Sequence, residues 1–312
     1  MTKGMRENLV SYTFLAPFLL VFVIFLAYPV FYSAWISLHK TTIYTSWYYP
    51  FSEMKFAGFE NYTSLLLDFE LWWSFFLTIC YGFLTIPTGI FLSLLLAVLL
   101  DNKLKGKSFF RSAFFLPNVL DLFVVGVIWI LIFAPEFGLL DILLKKIGLG
   151  AESGPVFEKG LLGNAWTCLP AIAVAMVLKG AGFGMILFLT AIQNISQSVY
   201  EAADIDGAGW WHKFRHITIP LVKPIILFMV ITGTISCLTA FTEVYAMTIN
   251  TGGPTANPFG HSLRAANLLG YHLYRNFQDA YYGKAAALSF IILAFASLIS
   301  WINIRIIQPR RK

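Results

Sequence analysis

Residues 201–224, EAADIDGAGWWHKFRHITIPLVKP, form a polar segment between two long apolar runs. Ser198 lies three residues before the first glutamate, the spacing at which a hydroxyl and a carboxylate cap a helix N-terminus reciprocally. Gly207 stands where the end of such a helix needs a residue that readily adopts positive φ. Pro220 and Pro224 disfavour the interior of a second helix, because proline lacks a backbone N–H donor. The segment therefore predicts two short helices that meet at an angle.

The segment closely resembles the cytoplasmic EAA loop of the membrane-spanning subunits of ABC importers, in which this loop is the coupling helix that sits in a cleft on the ATPase subunit. The residues at the family's spacing are Glu201, Ala202, Ala203, Asp206, Gly207, Ala208, Phe214, Ile217, Pro220 and Pro224. Ile219 replaces the more usual leucine before the first proline, and this change conserves volume. The motif is long and lies between apolar runs, so it is far more specific than a short glycine pattern.

The resemblance implies a role for each part of the loop, which we predict over residues 193–220. Glu201 would pair with a basic residue of the ATPase while capping its own helix. Ala202 and Ala203 are small enough for the helix to seat deeply, and Gly207 permits a sharp turn. The predicted ATPase-coupling residues are Glu201, Ala202, Ala203, Asp206, Gly207 and Ala208. We expect this loop to carry motion from the ATPase into the membrane helices.

The composition is that of a membrane protein. Hydrophobic residues make up 58% of the chain, charged residues only 12%, and the mean hydropathy is +0.72, which is too apolar for an ordinary soluble domain. Six apolar runs reach the length of about 18 residues that a spanning helix needs. These runs are 12–38, 72–100, 113–133, 165–192, 221–246 and 285–307. We predict an all-α membrane protein with six transmembrane helices, and the resemblance implies the MetI-like ABC importer permease fold. Residues 1–11 are predicted as a cytoplasmic N-terminal tail and residues 12–312 as the permease domain.

The positive charges indicate the orientation in the membrane. Thirteen lysines and arginines lie on the side of the two termini and the Glu201 loop, against eight on the opposite side. The positive-inside bias therefore places both termini and the loop in the cytoplasm. We predict a multi-pass protein of a bacterial or archaeal cell (inner) membrane. The net charge of +6 is mostly a topology signal, and we do not predict nucleic-acid binding.

The chain lacks the sequence motif with which an ATPase binds its nucleotide. It contains no G-x-x-x-x-G-K-[ST] sequence, the phosphate-binding loop of ATPases. Cys80, Cys168 and Cys237 are dispersed within apolar runs, which argues against a disulfide framework or a metal site. We therefore predict no enzyme activity and no cofactor in this chain. The resemblance implies two copies of a cytoplasmic ATPase that bind ATP and Mg, a second homologous permease, an extracellular solute-binding protein and a sugar or oligosaccharide substrate, with membrane lipid around the helices.

Other classes of protein remain open from the sequence. An importer of the glycerol-3-phosphate type would share these features, and Lys179 would suit an anionic substrate. A secondary transporter without an ATPase usually shows two related halves and paired broken helices, and neither is visible here. An intramembrane hydrolase would need clustered ligands. His212 and His216 lie four residues apart but lack the glutamate of an H-E-x-x-H zinc motif.

Apart from Lys223 and Arg305 near the ends of their runs, three charged residues fall inside the apolar runs, namely Asp121, Lys179 and Glu243. Each costs about 2.5–3.5 kcal/mol at the bilayer centre, so each should face protein, a cavity or another charge. Asp121 and Glu243 lie near the ends of their runs, where a structural pairing and a functional role are equally open. Lys179 is central in its run and flanked by glycines, which makes it the clearer candidate for function.

A substrate pathway is predicted along two helix faces. In the maltose-type importers that this chain resembles, the helices before and after the EAA loop supply the sugar-lining faces at matching offsets. Those offsets here carry Met176, Lys179, Gly180, Phe183, Gly233, Cys237 and Ala240. Within each helix they share a face by the i, i+3, i+4, i+7 rule. The set is poor in hydrogen-bonding groups, so substrate contact and plain helix packing both remain open.

Three shorter features carry structural expectations. Residues 58–62 resemble the G-x-x-N-Y sequence that this family often carries after its first span, and their aromatic rings predict an interfacial belt. Residues 139–147 predict a short amphipathic helix in an outer loop. The glycines of the fourth apolar run, at positions 180, 182 and 184, permit either close helix contact or local unwinding.

Overall fold

The computed structural model is helical, with two short antiparallel strand pairs. It describes residues 3–41, 54–102, 105–146, 159–257 and 260–307. The chain divides into two compact units. The first comprises Met1–Asp68 and Leu273–Leu293, and the second comprises Phe69–His272 and Ala294–Lys312.

The first unit begins with the first membrane-spanning helix. Its elements are α1 (Lys3–Phe22), a π-helical turn (Val23–Ala27), α2 (Tyr28–Ser37), β1 (His39–Lys40) paired with β2 (Lys55–Phe56), and α3 (Glu60–Leu66). The candidate span is Ser11–Ser37, which agrees with the predicted run 12–38. The π turn lies directly before Pro29, where a wider turn accommodates the missing N–H donor of proline. The predicted tail is helical from Lys3 and continuous with this span.

The segment 58–62 closes the end of α2. Asn61 is buried, and its Nδ2 donates to the carbonyl oxygens of Ser37 at 2.8 Å and His39 at 3.0 Å. The hydroxyls of Tyr62 and Ser37 are hydrogen-bonded at 2.8 Å. The last carbonyls of a helix have no partner within the helix, so Asn61 satisfies groups that would otherwise be buried and unpaired. This polar contact is a role that the sequence analysis, which considered only the aromatic rings, did not predict.

We expect Asn61→Ala and Asn61→Asp to lower the free energy of unfolding in detergent by about 1–3 kcal/mol, the cost of buried acceptors left without a donor. Asp keeps the size of the side chain but loses the NH₂ donor, so both variants should behave alike. Thr63→Ala is the matched control on the same helix, because its exposed hydroxyl bonds only the preceding turn. A thermal melt in which Asn61→Asp is as stable as the parent would contradict this role.

The second unit contains most of the helices. Its elements are α4 (Phe69–Asp101), α5 (Lys107–Val119), α6 (Leu122–Phe133), α7 (Leu139–Lys146), α8 (Gly160–Gly163), α9 (Cys168–Gln193), α10 (Gln197–Ile205), α11 (Trp210–Lys213), a π turn (Phe214–Thr218), α12 (Ile219–Leu238), α13 (Thr242–Met247), β3 (Thr255–Ala256) paired with β4 (Leu263–Arg264), and the first part of α14 (Leu269–Gln278). The last helix, α15 (Tyr282–Ile307), runs through both units. The amphipathic helix predicted over 139–147 is confirmed as α7, and residue 147 lies outside the described residues.

Among the described residues, five helical segments are long and apolar enough to cross a membrane. They are Ser11–Ser37, Phe69–Asp101, Cys168–Gln193, Trp210–Leu238 and Tyr282–Arg305. The predicted third span is wrong as a continuous helix, because α5 and α6 meet at an angle of 103°. Asp121 makes this break, since its Oδ1 accepts a hydrogen bond from the amide of Phe123 at 2.9 Å and thereby caps α6. Counted as one broken span, the pair brings the total to the predicted six.

Helix α9 is the most buried of the spans, and its glycines allow close contacts. A Cβ at Gly182 would overlap the carbonyl oxygen of Phe114 in α5, and a Cβ at Gly184 would overlap the hydroxyl of Ser93 in α4. That hydroxyl donates to the carbonyl of Ala181 at 3.1 Å. Because α9 is an unbroken helix, Gly182 and Gly184 serve helix contact rather than unwinding, whereas Gly180 makes no such contact.

The helix after the polar segment passes through both prolines, so the prediction that Pro220 and Pro224 stop it is wrong. Pro220 lies in the first turn of α12, where the N–H would have no helical partner. The π turn directly before it joins α11 to α12 in one span. The span ends at Leu238, earlier than predicted, and Glu243 belongs to the separate short helix α13.

Candidate functional site

Helices α4, α9 and α12 enclose a cavity in the second unit. Its volume is about 390 Å³, within the range of small-molecule pockets. The lining residues are Tyr81, Thr85, Ile86, Gly89, Ile90, Ser93, Met176, Val177, Lys179, Gly180, Phe183, Met229, Thr232, Gly233, Ser236, Cys237 and Glu243. Both helices flanking the polar segment therefore contribute walls, as does α4.

The cavity brings together six of the seven residues predicted for the substrate pathway. These six are Met176, Lys179, Gly180, Phe183, Gly233 and Cys237. Ala240 is the exception, because it is only 3% exposed and lies beyond the end of α12. Ala240 was predicted from helical spacing, and this spacing does not apply beyond Leu238, the last residue of α12. The carbonyl oxygen of Ala240 instead packs against Gly270, where an added Cβ would lie 2.6 Å away.

The cavity is richer in hydrogen-bonding groups than the sequence analysis predicted. The missed residues are Tyr81, Thr85, Ser93, Thr232 and Ser236, and Glu243, whose role the sequence left open, also lines the cavity. Those on α4 form a sequence signal of their own, because Tyr81, Thr85, Gly89 and Ser93 recur every four residues and therefore share one helix face. Hydroxyl groups on α4 and α12 can orient a polyhydroxylated ligand, with the ring of Phe183 on α9 offering an apolar face.

Two ionisable side chains, Glu243 and Lys179, line the cavity. Glu243 is buried, and its Oε1 accepts a hydrogen bond from the hydroxyl of Tyr81 at 3.4 Å. Lys179 is half-buried. Both side chains therefore face a polar cavity, which lowers the cost of an ionisable group at membrane depth. Asp121, the third ionisable residue within the apolar runs, lies elsewhere and caps α6.

The polar segment forms an exposed helix, α10, that has no buried residue. Glu201 and Ala202 are exposed and Ala203 is half-exposed. The capping box predicted for Ser198 and Glu201 is wrong, because the helix begins at Gln197 and its N-cap is Ser196. Glu201 instead accepts a hydrogen bond from Nε2 of Gln197 at 2.9 Å.

The end of α10 matches the prediction for Gly207, which has a φ of +73°. The amide of Gly207 donates to the carbonyl of Asp204 at 3.1 Å, and the amide of Ala208 donates to that of Ala203 at 2.9 Å. These two bonds define a Schellman motif with Asp206 as the C-cap. The turn therefore needs a glycine for its backbone conformation, while the space around Gly207 is open.

A multi-pass helical protein with a polar cavity between its spans and a short helix projecting from the loop between two of them belongs to the class of membrane transport subunits. The comparisons agree. The chain belongs to the family of binding-protein-dependent transport system inner membrane components, which matches residues 74–312.

Relatives in this family cover nearly the whole chain. It is 32% identical over 296 residues to the trehalose/maltose transport system permease protein MalF of Thermococcus litoralis, covering 95% of this chain and 92% of that one. It is 32% identical to the lactose transport system permease protein LacF of Rhizobium radiobacter, with 96% and 95% covered. The fold is similar, at a TM-score of 0.78 and 20% identity, to a chain of a bacterial ABC transporter that imports alginate, with 99% of each chain covered. The predicted ABC importer permease fold is thus confirmed.

Proposed function

We propose that this chain is one of two membrane subunits of an ATP-driven importer for a sugar or oligosaccharide. A second homologous permease completes the translocation pathway, two copies of a cytoplasmic ATPase bind ATP and Mg, and an extracellular binding protein delivers the substrate. The observation that carries the proposal is the hydroxyl-lined cavity of α4, α9 and α12, whose two walls α9 and α12 flank an exposed helix with the EAA sequence. In this proposal the chain forms part of the translocation pathway and carries α10, the helix that the ATPase displaces, and it supplies no catalytic group.

The relatives support the substrate class. Their names include trehalose, maltose and lactose, and an alginate importer has the same fold. The nearest alternative is a glycerol phosphate ester, because the chain is also 27% identical to the sn-glycerol-3-phosphate transport system permease protein UgpA of Salmonella choleraesuis, with 98% of this chain and 96% of that one covered. Lys179 in the cavity could serve either ligand. Membership of a binding-protein-dependent family disfavours the secondary transporter.

The proposed orientation places α10 and both termini in the cytoplasm. It requires the broken pair α5 and α6 to cross the membrane once. The basic residues Lys213, Arg215 and Lys223 around α10 support a single crossing. If α5 and α6 instead formed a re-entrant loop, this basic segment would lie on the outer side, against the positive-inside bias. ATP-driven closure of the ATPase would then displace α10 and switch the cavity between outward and inward access.

Co-purification tests the assembly directly. From cells that express the native gene cluster with an affinity tag on this chain, we expect a detergent complex that contains a second membrane subunit and an ATPase. A thermal-shift screen of the associated binding protein, with neutral sugars and glycerol phosphate esters in parallel, identifies the substrate class by the ligand that raises its melting temperature. A chain that transports solute alone in liposomes would contradict the proposal.

Replacing Lys179 with methionine separates the two substrate classes. For a neutral sugar we expect uptake to persist with a loss of about tenfold or less, the value of one lost hydrogen bond. Uptake of a phosphate ester would be lost more completely, because the cavity would keep the carboxylate of Glu243 without a facing cation. Radiolabelled uptake, normalised to the amount of subunit in the membrane, is the measurement. Complete loss of neutral-sugar uptake at normal subunit levels would contradict the expectation that Lys179 contributes no more than one hydrogen bond to a neutral substrate.

A further inference from the structure

The exposed helix α10 is tied by its side chains to one of its two neighbouring helices. The hydroxyls of Tyr200 and Thr218 are hydrogen-bonded at 2.9 Å, and Thr218 is buried at the base of α12. One turn further along α10, Oδ1 of Asp204 pairs with Nζ of Lys213 at 2.5 Å. Tyr200 and Asp204 are four residues apart and share a helix face. Both ties therefore hold the same face of α10 to the segment that continues into α12.

No comparable tie reaches α9. Within residues 159–257, no side-chain hydrogen bond or ion pair joins α10 to α9. The connection between them is residues 194–196, which end with Ser196 in an extended conformation (φ −59°, ψ 132°). An extended residue between two helices transmits rotation poorly, because it lacks the helical hydrogen bonds that make a rod rigid.

Helix α9 is in turn fixed to other parts of the second unit. Half of its apolar window is buried, against 28% for the span Trp210–Leu238. Gly182 packs closely on the backbone of Phe114 in α5, and Gly184 packs on Ser93 in α4 and on Met229 in α12. Apolar side chains around Val222 complete the contact between α9 and α12. Of the two cavity walls, α9 is the more deeply buried, and α12 is the one tied to α10 by side-chain bonds.

We propose that Tyr200 and Thr218 are positioning residues that make α10 and α12 move as one rigid body. The ion pair of Asp204 and Lys213 supports this connection. The ATPase-driven displacement of α10 then moves the α12 wall of the cavity. This inference rests on the proposed function and adds which helix receives the force. The residues on the moving wall are Met229, Thr232, Gly233, Ser236 and Cys237.

The test uses the complete importer in proteoliposomes and measures substrate imported per ATP hydrolysed. Tyr200→Phe and Thr218→Val each remove one hydroxyl, and we expect each to lower this ratio about two- to tenfold while ATP hydrolysis continues. The double variant should lose no more than either single variant, because the two hydroxyls form one interaction. Thr190→Val is the matched control, since it removes from α9 a hydroxyl that bonds the carbonyl of Ile186 in the same helix. Its ratio should equal that of the parent.

The ion pair offers a rescue that a role of Asp204 in contacting the ATPase would not show. Asp204→Lys alone should lower the ratio, by less than the hydroxyl variants because exposed ion pairs contribute little, and adding Lys213→Asp should restore it. Parental ratios in both hydroxyl variants, or an equal fall in Thr190→Val, would overturn the inference while leaving the proposed function intact. A parental complex that contains no ATPase would contradict the proposed function and the inference with it.

Discussion

Replacing Gly182 with alanine is expected to destabilise the second unit more than any other single-methyl change in α9. The added Cβ would overlap the carbonyl oxygen of Phe114 and lie 2.9 Å from Cα of Phe115. Both neighbours are backbone atoms of α5, so no side-chain rotation can relieve the clash and the two helices must separate. Overpacking of this kind costs about 1–3 kcal/mol and sometimes more. We expect a lower thermal unfolding temperature in detergent and less subunit in the membrane.

The matched control lies two residues away. A Cβ at Gly180 meets no atom within 4 Å, because this position faces the cavity. Gly180→Ala should therefore leave stability unchanged or raise it by about 0.5–1 kcal/mol, the difference between the two residues inside a helix. Equal melting temperatures for Gly182→Ala and the parent would show that α5 and α9 do not make this close contact.

Local rules predicted the end of α10 but not its beginning. A Schellman turn is specified by a glycine at one position, and Gly207 occupies it with the expected φ of +73°. The helix start could be read in two ways, because Ser196 and Ser198 are both capping residues. The structure uses Ser196, and the hydroxyl of Ser198 instead bonds that of Ser196 at 2.7 Å. Glu201 remains exposed, which keeps its predicted pairing with an ATPase residue available.

Tertiary contacts explain what the sequence could not predict. A membrane span is apolar on every side, so hydropathy finds its length but not the face it turns to a cavity. The polar residues of α4 were missed for this reason, although their spacing of four was visible. The bend between α5 and α6 depends on Asp121, whose side chain can cap a helix or pair with a charge, and only the fold shows that it caps. The number of apolar runs was predicted well because it depends on composition alone.

Replacing Gly207 with valine is expected to reduce transport strongly without affecting membrane insertion. A non-glycine residue in the left-handed region costs about 1–2 kcal/mol, and β-branched residues are the least tolerated there. That energy corresponds to about a 5- to 30-fold loss of the correctly shaped turn, so uptake should fall by a similar factor. The helix spans lie outside this turn, and the amount of subunit in the membrane should stay constant. Uptake and membrane levels measured on the same cells test both statements.

The variant Gly209→Val separates the effect of backbone strain from the effect of added side-chain volume in the turn that follows α10. Gly209 also has open space around it, but its φ of −65° suits any L-residue. Valine there should preserve transport, and Gly207→Asn should retain more uptake than Gly207→Val because asparagine tolerates the left-handed conformation. If Gly207→Val transports normally, the Schellman turn does not set the angle of the coupling helix. If Gly209→Val is equally impaired in transport, the added side-chain volume, and not the φ of residue 207, explains the loss of uptake in both variants.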